Sequence, residues 1–233
     1  MTEPMIAVEN LGKSFTLHTQ GGVTLPVFQD LGFRIGAGEC MVLDGPSGAG
    51  KSTLLRLLYG NYLAGAGRIF VRHGTETIDL AGAPPHVILD IRRRTIGYVS
   101  QFLRCIPCVP AIDVVREPLA ALGIGEEEGR ERAARLLARL NIPERMWSLA
   151  PAMFSGGEQQ RVNVARVFVV DYPILLLDEP TASLDAGNRS IVVELILEAK
   201  ARGGAVVGIF HDADIREAVG DRMFPVAAYG AAA

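Results

Sequence analysis

The segment Gly45-Pro-Ser-Gly-Ala-Gly50-Lys51-Ser52 lies between an apolar, strand-like stretch (Cys40 to Leu43) and a leucine-rich stretch of helical spacing (Ser52 to Tyr59). It matches G-x-x-x-x-G-K-[ST] in the context that pattern requires, the end of a strand and the start of a helix. Glycines let a backbone wrap closely around another group, and a helix N-terminus presents free N–H groups with partial positive charge. The loop from Gly45 through Pro46, Ser47, Gly48, Ala49 and Gly50 therefore reads as a cradle for phosphate oxygens. Lys51 reaches the β and γ phosphates, Ser52 offers an oxygen to Mg2+, and Thr53 completes the first helical turn. A glycine-rich turn can match such a pattern by chance, but the strand-loop-helix setting favours the phosphate reading.

A strand passing directly into a helix also commits the chain to an α/β fold with a parallel sheet. Ile174 to Leu177 is a continuous apolar run, as a parallel strand covered on both faces should be, and it ends in Asp178-Glu179. Carboxylates at the C-terminal edge of such a sheet sit where ligands bind. Asp178 is expected to hold Mg2+ or its waters, and Glu179 to orient and activate the water that attacks the γ-phosphate. Elsewhere the opening is β-rich, with strand-like segments at Ile6 to Val8 and Val27 to Ile35. Residues 68 to 80 read as a hairpin around a His-Gly turn, and Ile96 to Val99 as another short strand. Residues 111 to 170 are helical in pattern, Asn188 to Arg202 forms a long helix, and Ala205 to Phe210 is expected to be the last strand.

Composition closes off several classes. With 49% hydrophobic and 21% charged residues in 233, the chain is neither disordered nor fibrous, and its length fits one domain with an inserted subdomain. A net charge of -3 argues against a broad basic surface for nucleic acid. The longest apolar runs, Val167 to Val170 and Ile174 to Leu177, fall short of the ~20 residues of a membrane-spanning helix. The N-terminus lacks the pattern of a secretory signal, so the expected compartment is the cytoplasm. Three cysteines, Cys40, Cys105 and Cys108, make no disulfide framework. The Cys105-x-x-Cys108 pair lies between prolines with no second pair at metal spacing, and reads as incidental. His18, His73 and His86 read as surface or packing residues, Trp147 as packing, and Arg92 to Arg94 as a solvated face rather than a docking patch.

Between the phosphate loop and the Asp-Glu pair stands Ser155-Gly156-Gly157-Glu158-Gln159, opening a helical run. Taken in order, the phosphate loop, Gln101 after a strand, SGGEQ, LLLDEP, Ser183-Leu184-Asp185 and His211 after a strand resemble the ABC ATPase family. The resemblance implies a P-loop core with an N-terminal antiparallel β subdomain and an inserted α-helical subdomain. Core and β subdomain would take about residues 1–100 and 156–233, and the helical subdomain about 101–155. It implies that Phe15 stacks on adenine, that Gln101 completes Mg2+ coordination and senses the γ-phosphate, and that His211 contacts that phosphate beside Glu179. It also implies that Ser155, Gly156 and Gly157 meet the γ-phosphate held by a second ABC ATPase chain, itself or a paralogue, with Asp185 along the same interface. Phe154 departs from the leucine usual before the signature, a conservative apolar change.

Longer segments, among them LHTQGGVTLPV, LLRLLYGNYL, GYVSQFLR, NIPERMWSLAP and VVGIFHDADIREAV, resemble the ABC-type subunits of bacterial carbon-phosphorus lyase systems, the PhnL family. That resemblance implies ATP binding and hydrolysis in phosphonate catabolism, beside soluble lyase subunits that form α-D-ribose 1-methylphosphonate 5-triphosphate from ATP and methylphosphonate. The alternative is the ATPase subunit of a membrane transporter of lipoprotein-release or import type, in which every nucleotide motif would be the same. A DNA-repair ATPase is disfavoured, because only about a hundred residues separate the nucleotide motifs, too few for coiled-coil arms. A binding module without turnover is disfavoured by the presence of Lys51, Glu179 and His211 together.

Overall fold

A computed structural model describes residues 3–17, 22–103 and 107–229. Two sheets organise it. Strands β1 (Ile6–Leu17), β2 (Val23–Ile35), β4 (Ala66–His73) and β5 (Glu76–Asp79) form an antiparallel sheet in the order β2-β1-β4-β5. The second sheet is parallel and five-stranded: β6 (Ile96–Val99), β7 (Ile174–Asp178), β8 (Ala205–Ile209), β3 (Cys40–Asp44) and β9 (Arg222–Pro225), in that spatial order. The parallel sheet is the one expected from the phosphate loop and the apolar run, and the antiparallel sheet the one that the family resemblance implies.

The parallel strands are sorted by pleat, since successive side chains point to opposite faces. On β7, Leu175 and Leu177 join one hydrophobic cluster while Ile174 and Leu176 join another; on β3, Cys40 and Val42 part from Met41 and Leu43 in the same way. The first cluster is closed by the helices α3 (Ala111–Ala121), α4 (Glu126–Arg139), α5 (Gly156–Phe168), α6 (Ala186–Ala201) and α7 (Ala213–Val219). The second is closed by the antiparallel sheet with α1 (Lys51–Leu58) and α2 (Pro85–Arg94). Both faces of a parallel sheet must be covered, which is why its strands read as unbroken apolar runs.

The structure departs from the sequence reading at several places. A helix, α2, occupies 85–94, where Pro85 at the first helical position and three arginines in the last turn were the available signals. Arg92 is accordingly not a solvated side chain: it donates to Tyr59 O at 2.9 Å, Gly60 O at 2.8 Å and Asn61 Oδ1 at 2.9 Å. Its neighbours Arg93 and Arg94 pair with Asp90. The chain does not end its sheet at β8, because β9 adds a further strand beside β3, burying only Phe224 among its four residues. β1 runs past Val8 to Leu17 with register shifts, Asn10 taking a φ of 49° at one of them. Of the histidines read as surface or packing residues, His86 is exposed and His73 packs, with Nδ1 2.6 Å from Thr95 Oγ1 and Nε2 3.1 Å from Asp90 Oδ2. Trp147 packs as expected and donates to Ile142 O at 2.8 Å. Cys108 is exposed, whereas Cys105 and His18 lie outside the described residues. Cys40 is buried, and burial pushes its thiol up to about 12. Among the described residues no helix is long and apolar enough to cross a membrane.

Candidate functional site

Four adjacent parallel strands, β6-β7-β8-β3, deliver their C-terminal ends to one edge of the sheet. From β3 comes the phosphate loop, from β7 the Asp178-Glu179 pair, from β8 His211, and from β6 Gln101. Such an edge is where open α/β sheets bind ligands.

The loop depends on its glycines. Gly45, Gly48 and Gly50 have φ of 143°, 82° and 91°, values a residue with a Cβ rarely adopts. At Gly50 a Cβ would also fall 2.5 Å from Val27 Cγ1. Lys51 opens α1 and turns its ammonium onto the loop, donating to Gly45 O at 2.5 Å and Pro46 O at 2.9 Å. Ser52 Oγ donates to Asp178 Oδ1 at 3.0 Å, and Tyr98 Oη donates to Asp178 Oδ2 at 3.2 Å.

Asp178 is only 1% exposed, and burial raises its carboxyl above the ordinary aspartate range even though both donors favour the charged form. Burial likewise pushes the Tyr98 hydroxyl up to about 12. A buried carboxylate beside a serine hydroxyl is a set of hard oxygen donors that fits Mg2+, which is held through one or two carboxylates with the rest of its shell left to phosphates and water. Among the described residues no group of three or more His, Cys, Asp or Glu side chains is placed to hold a metal ion by itself.

Glu179 has a φ of 55°, a left-handed conformation that glutamate seldom takes. Its N–H donates to Ile209 O at 3.1 Å, and its carbonyl accepts from Gln160 Nε2 at 3.3 Å, which also donates to Pro180 O at 3.1 Å. The strained backbone aims the side chain at β8, where Glu179 Oε1 lies 2.7 Å from His211 Nε2. Strain of this kind persists only where the surroundings over-determine it.

A second group sits at the N-terminus of α5. Ser155 caps that helix in a reciprocal capping box with Glu158, whose carboxyl the Ser155 side chain holds below its usual range. A Cβ on Gly157 would lie 2.7 Å from Ser183 O, whereas one on Gly156 would meet nothing within 4 Å. Asp185 caps α6 by accepting from Asn188 N, and those backbone and side-chain bonds lower its carboxyl. The hydrogen bonds of Ser155 stay within its own cap. Thus the structure gathers Lys51, Ser52, Asp178, Glu179 and His211 at one edge and sets Ser155 to Gly157 with Ser183 and Asp185 in a separate group.

Phe15 stands on β1, partly exposed, with its ring edge-on to Tyr62 at 5.4 Å between centroids and the Lys13 ammonium 4.8 Å above it. Gln101 is exposed just past β6. Sequence pattern alone does not single out Tyr62, Lys13 or Tyr98. For Gln160 a signal existed: it is a polar residue on the face of α5 that is otherwise buried, and it is 5% exposed.

The ABC transporter family matches residues 28–182. Among relatives, the chain is 34% identical over 218 residues to the lipoprotein-releasing system ATP-binding protein LolD of Idiomarina loihiensis, covering 93% of this chain and 92% of that one. It is 35% identical to the ABC transporter ATP-binding protein YtrE of Bacillus subtilis, over 91% and 90% of the two. The macrolide export ATP-binding/permease protein MacB of Sodalis glossinidius is 33% identical over 91% of this chain, which spans 31% of that longer protein. A solved dimeric ATP-binding cassette in a post-hydrolysis state, bound to ADP and Pi, superposes with a TM-score of 0.86 at 28% identity, covering 96% of this chain and 95% of that one. A phosphate loop, a buried aspartate on its serine and a glutamate-histidine contact, all on one sheet edge and within a family match of this extent, place the chain in the ABC transporter ATP-binding family.

Proposed function

We propose that this chain hydrolyses ATP as one half of a nucleotide-sandwiching pair and that it powers a membrane transporter of the lipoprotein-release and macrolide-export type. The observation that carries the ATPase reading is the 2.7 Å contact between Glu179 Oε1 and His211 Nε2 beside the Ser52–Asp178 pair. Loop N–H groups and the Lys51 ammonium neutralise the β and γ phosphates. Ser52, Asp178 and Gln101 would hold Mg2+, which would supply positive charge against the charge that develops on the phosphates. Glu179 takes the hydrogen bond, and then the proton, of the attacking water, while His211 fixes the carboxylate and reaches the γ-phosphate. Phe15 stacks on the adenine face.

One chain carries one phosphate loop and one signature, and these stand in two separate groups. Ser155, Gly156, Gly157 and Asp185 are therefore assigned to the nucleotide bound by a second chain, as the dimeric solved cassette supports. Glu179→Gln is expected to retain MgATP, lose at least a hundredfold of its turnover and elute as a pair in size-exclusion chromatography. Unchanged turnover would remove Glu179 from the chemistry.

The transporter coupling draws its support from LolD, YtrE and MacB, in the last of which ATP-binding and permease functions share one chain. A second reading, an ATPase subunit of the carbon-phosphorus lyase assembly that forms α-D-ribose 1-methylphosphonate 5-triphosphate, is favoured by LLRLLYGNYL, NIPERMWSLAP and the other segments quoted above. Purification of the tagged chain from its native cells decides. A hydrophobic permease among its companions supports the transporter, and soluble lyase subunits overturn it in favour of the second reading.

A further inference from the structure

Each oxygen of the Asp178 carboxylate has its own donor: Ser52 Oγ at 3.0 Å on Oδ1 and Tyr98 Oη at 3.2 Å on Oδ2. Two donors on opposite oxygens fix the plane of a carboxylate that one donor would leave free to swing. Tyr98 stands on β6, paired through Tyr98↔Leu176 with the strand that carries Asp178, so its reach is set by sheet register rather than by a loop.

The Tyr98 ring is held in turn. It packs on Tyr59 with centroids 5.0 Å apart, and the Arg92 guanidinium lies 4.8 Å from the Tyr59 ring while bonding the Tyr59 carbonyl. Arg56 on α1 donates through Nη1 to Tyr62 Oη at 3.0 Å, and its charge favours the ionised form of the Tyr98 hydroxyl. Packing alone does not call for a tyrosine here, since a phenylalanine would keep the Tyr59 contact; the hydroxyl is the part that packing does not use.

We propose that Tyr98, seated against Tyr59, is a positioning residue for the divalent cation: its hydroxyl holds Asp178 Oδ2 so that Oδ1 stays presented beside Ser52. The inference rests on the ATPase reading above. It predicts that the cation requirement, and not the grip on the nucleotide itself, changes when the hydroxyl is removed.

The experiment uses the full chain and a fluorescent N-methylanthraniloyl ATP, titrated with Mg2+ at fixed nucleotide and in EDTA. Tyr98→Phe is expected to raise the Mg2+ concentration for half-maximal binding by about tenfold, the scale of one lost hydrogen bond to a charged group. Its affinity in EDTA should match the parent chain. Arg56→Gln, which leaves both rings in place, should shift the requirement less and in the same direction, and it is the reporter if Tyr98→Phe fails to fold. Asp178→Asn separates the two claims. If it shifts the Mg2+ requirement while Tyr98→Phe and Arg56→Gln do not, the positioning role is overturned and the ATPase reading stands. Should none of the three shift it, the metal role of Asp178 fails as well. A loss of affinity in EDTA equal to that in Mg2+ would mark Tyr98 as structural and overturn the proposal.

Discussion

At the residue scale the site concentrates cost in Asp178. It is almost fully buried and has a carboxyl pushed above its unfolded value by desolvation. A raised native pKa means that the group favours folding below the unfolded aspartate pKa, near 3.8, and that this advantage is lost as pH rises through the native value. At neutral pH the ionised form is therefore a burden that the Ser52 and Tyr98 hydroxyls offset only in part. Asp178→Asn should melt higher than the parent at pH 8 without divalent cation, and the difference should vanish as pH falls toward 4, as differential scanning calorimetry across that range would show. A variant that melts lower at pH 8 would mean that the two hydrogen bonds outweigh desolvation. Lys51 is the counterpart on the phosphate side. Its ammonium rests on the Gly45 and Pro46 carbonyls, and Lys51→Ala should weaken ATP binding by about ten- to a hundredfold, the range for a charge-assisted bond. Equal affinity by titration calorimetry would count against the loop as the phosphate cradle.

At the element scale, the signature helix shows two glycines with different reasons to be small. A Cβ on Gly157 would press on the Ser183 carbonyl at 2.7 Å, and Ser183 is itself at a φ of 62°, so neither side yields easily. Gly157→Ala is expected to destabilise the chain by roughly 1–3 kcal/mol. Gly156 faces open space, so Gly156→Ala should leave stability within roughly 0.5 kcal/mol by urea unfolding. It should nonetheless depress turnover strongly if a partner's nucleotide approaches that surface; full activity in a stable Gly156→Ala chain would remove the signature from the site. The sequence showed these elements where local chemistry was loud. The phosphate loop and the unbroken ILLLDE run each announce their own conformation. It stayed silent on α2, whose arginines suggest a solvated face until Arg92 is seen bonding the Tyr59 and Gly60 carbonyls. It stayed silent on β9 too, where one buried side chain in four leaves no alternation to read. Tyr98 was illegible for a further reason. Its partner lies 80 residues away, and such a pairing arises only once strand register has been set.

At the scale of the whole molecule, the parallel sheet buries both faces, one under α3 to α7 and the other under the antiparallel sheet with α1 and α2. The phosphate loop and the signature belong to different groups on this body, so a composite site calls for two bodies related by rotation. A two-fold pair built this way contains two equivalent sites, each using the loop of one chain and the signature of the other. That arrangement makes a quantitative prediction for mixing. Lys51→Ala spoils the loop and Ser155→Arg spoils the signature, and each pure variant should hydrolyse almost no ATP. In an equal mixture half of the pairs are mixed, and each mixed pair has one intact site and one doubly broken one. Activity should therefore return to about a quarter of the parent rate, if the sites act independently. A site complete within one chain would instead leave Ser155→Arg active on its own. Failure to recover, with Ser155→Arg still binding ATP, would point to a paralogous subunit as the second half, because mixing two copies of this chain could never assemble the site it was built to share.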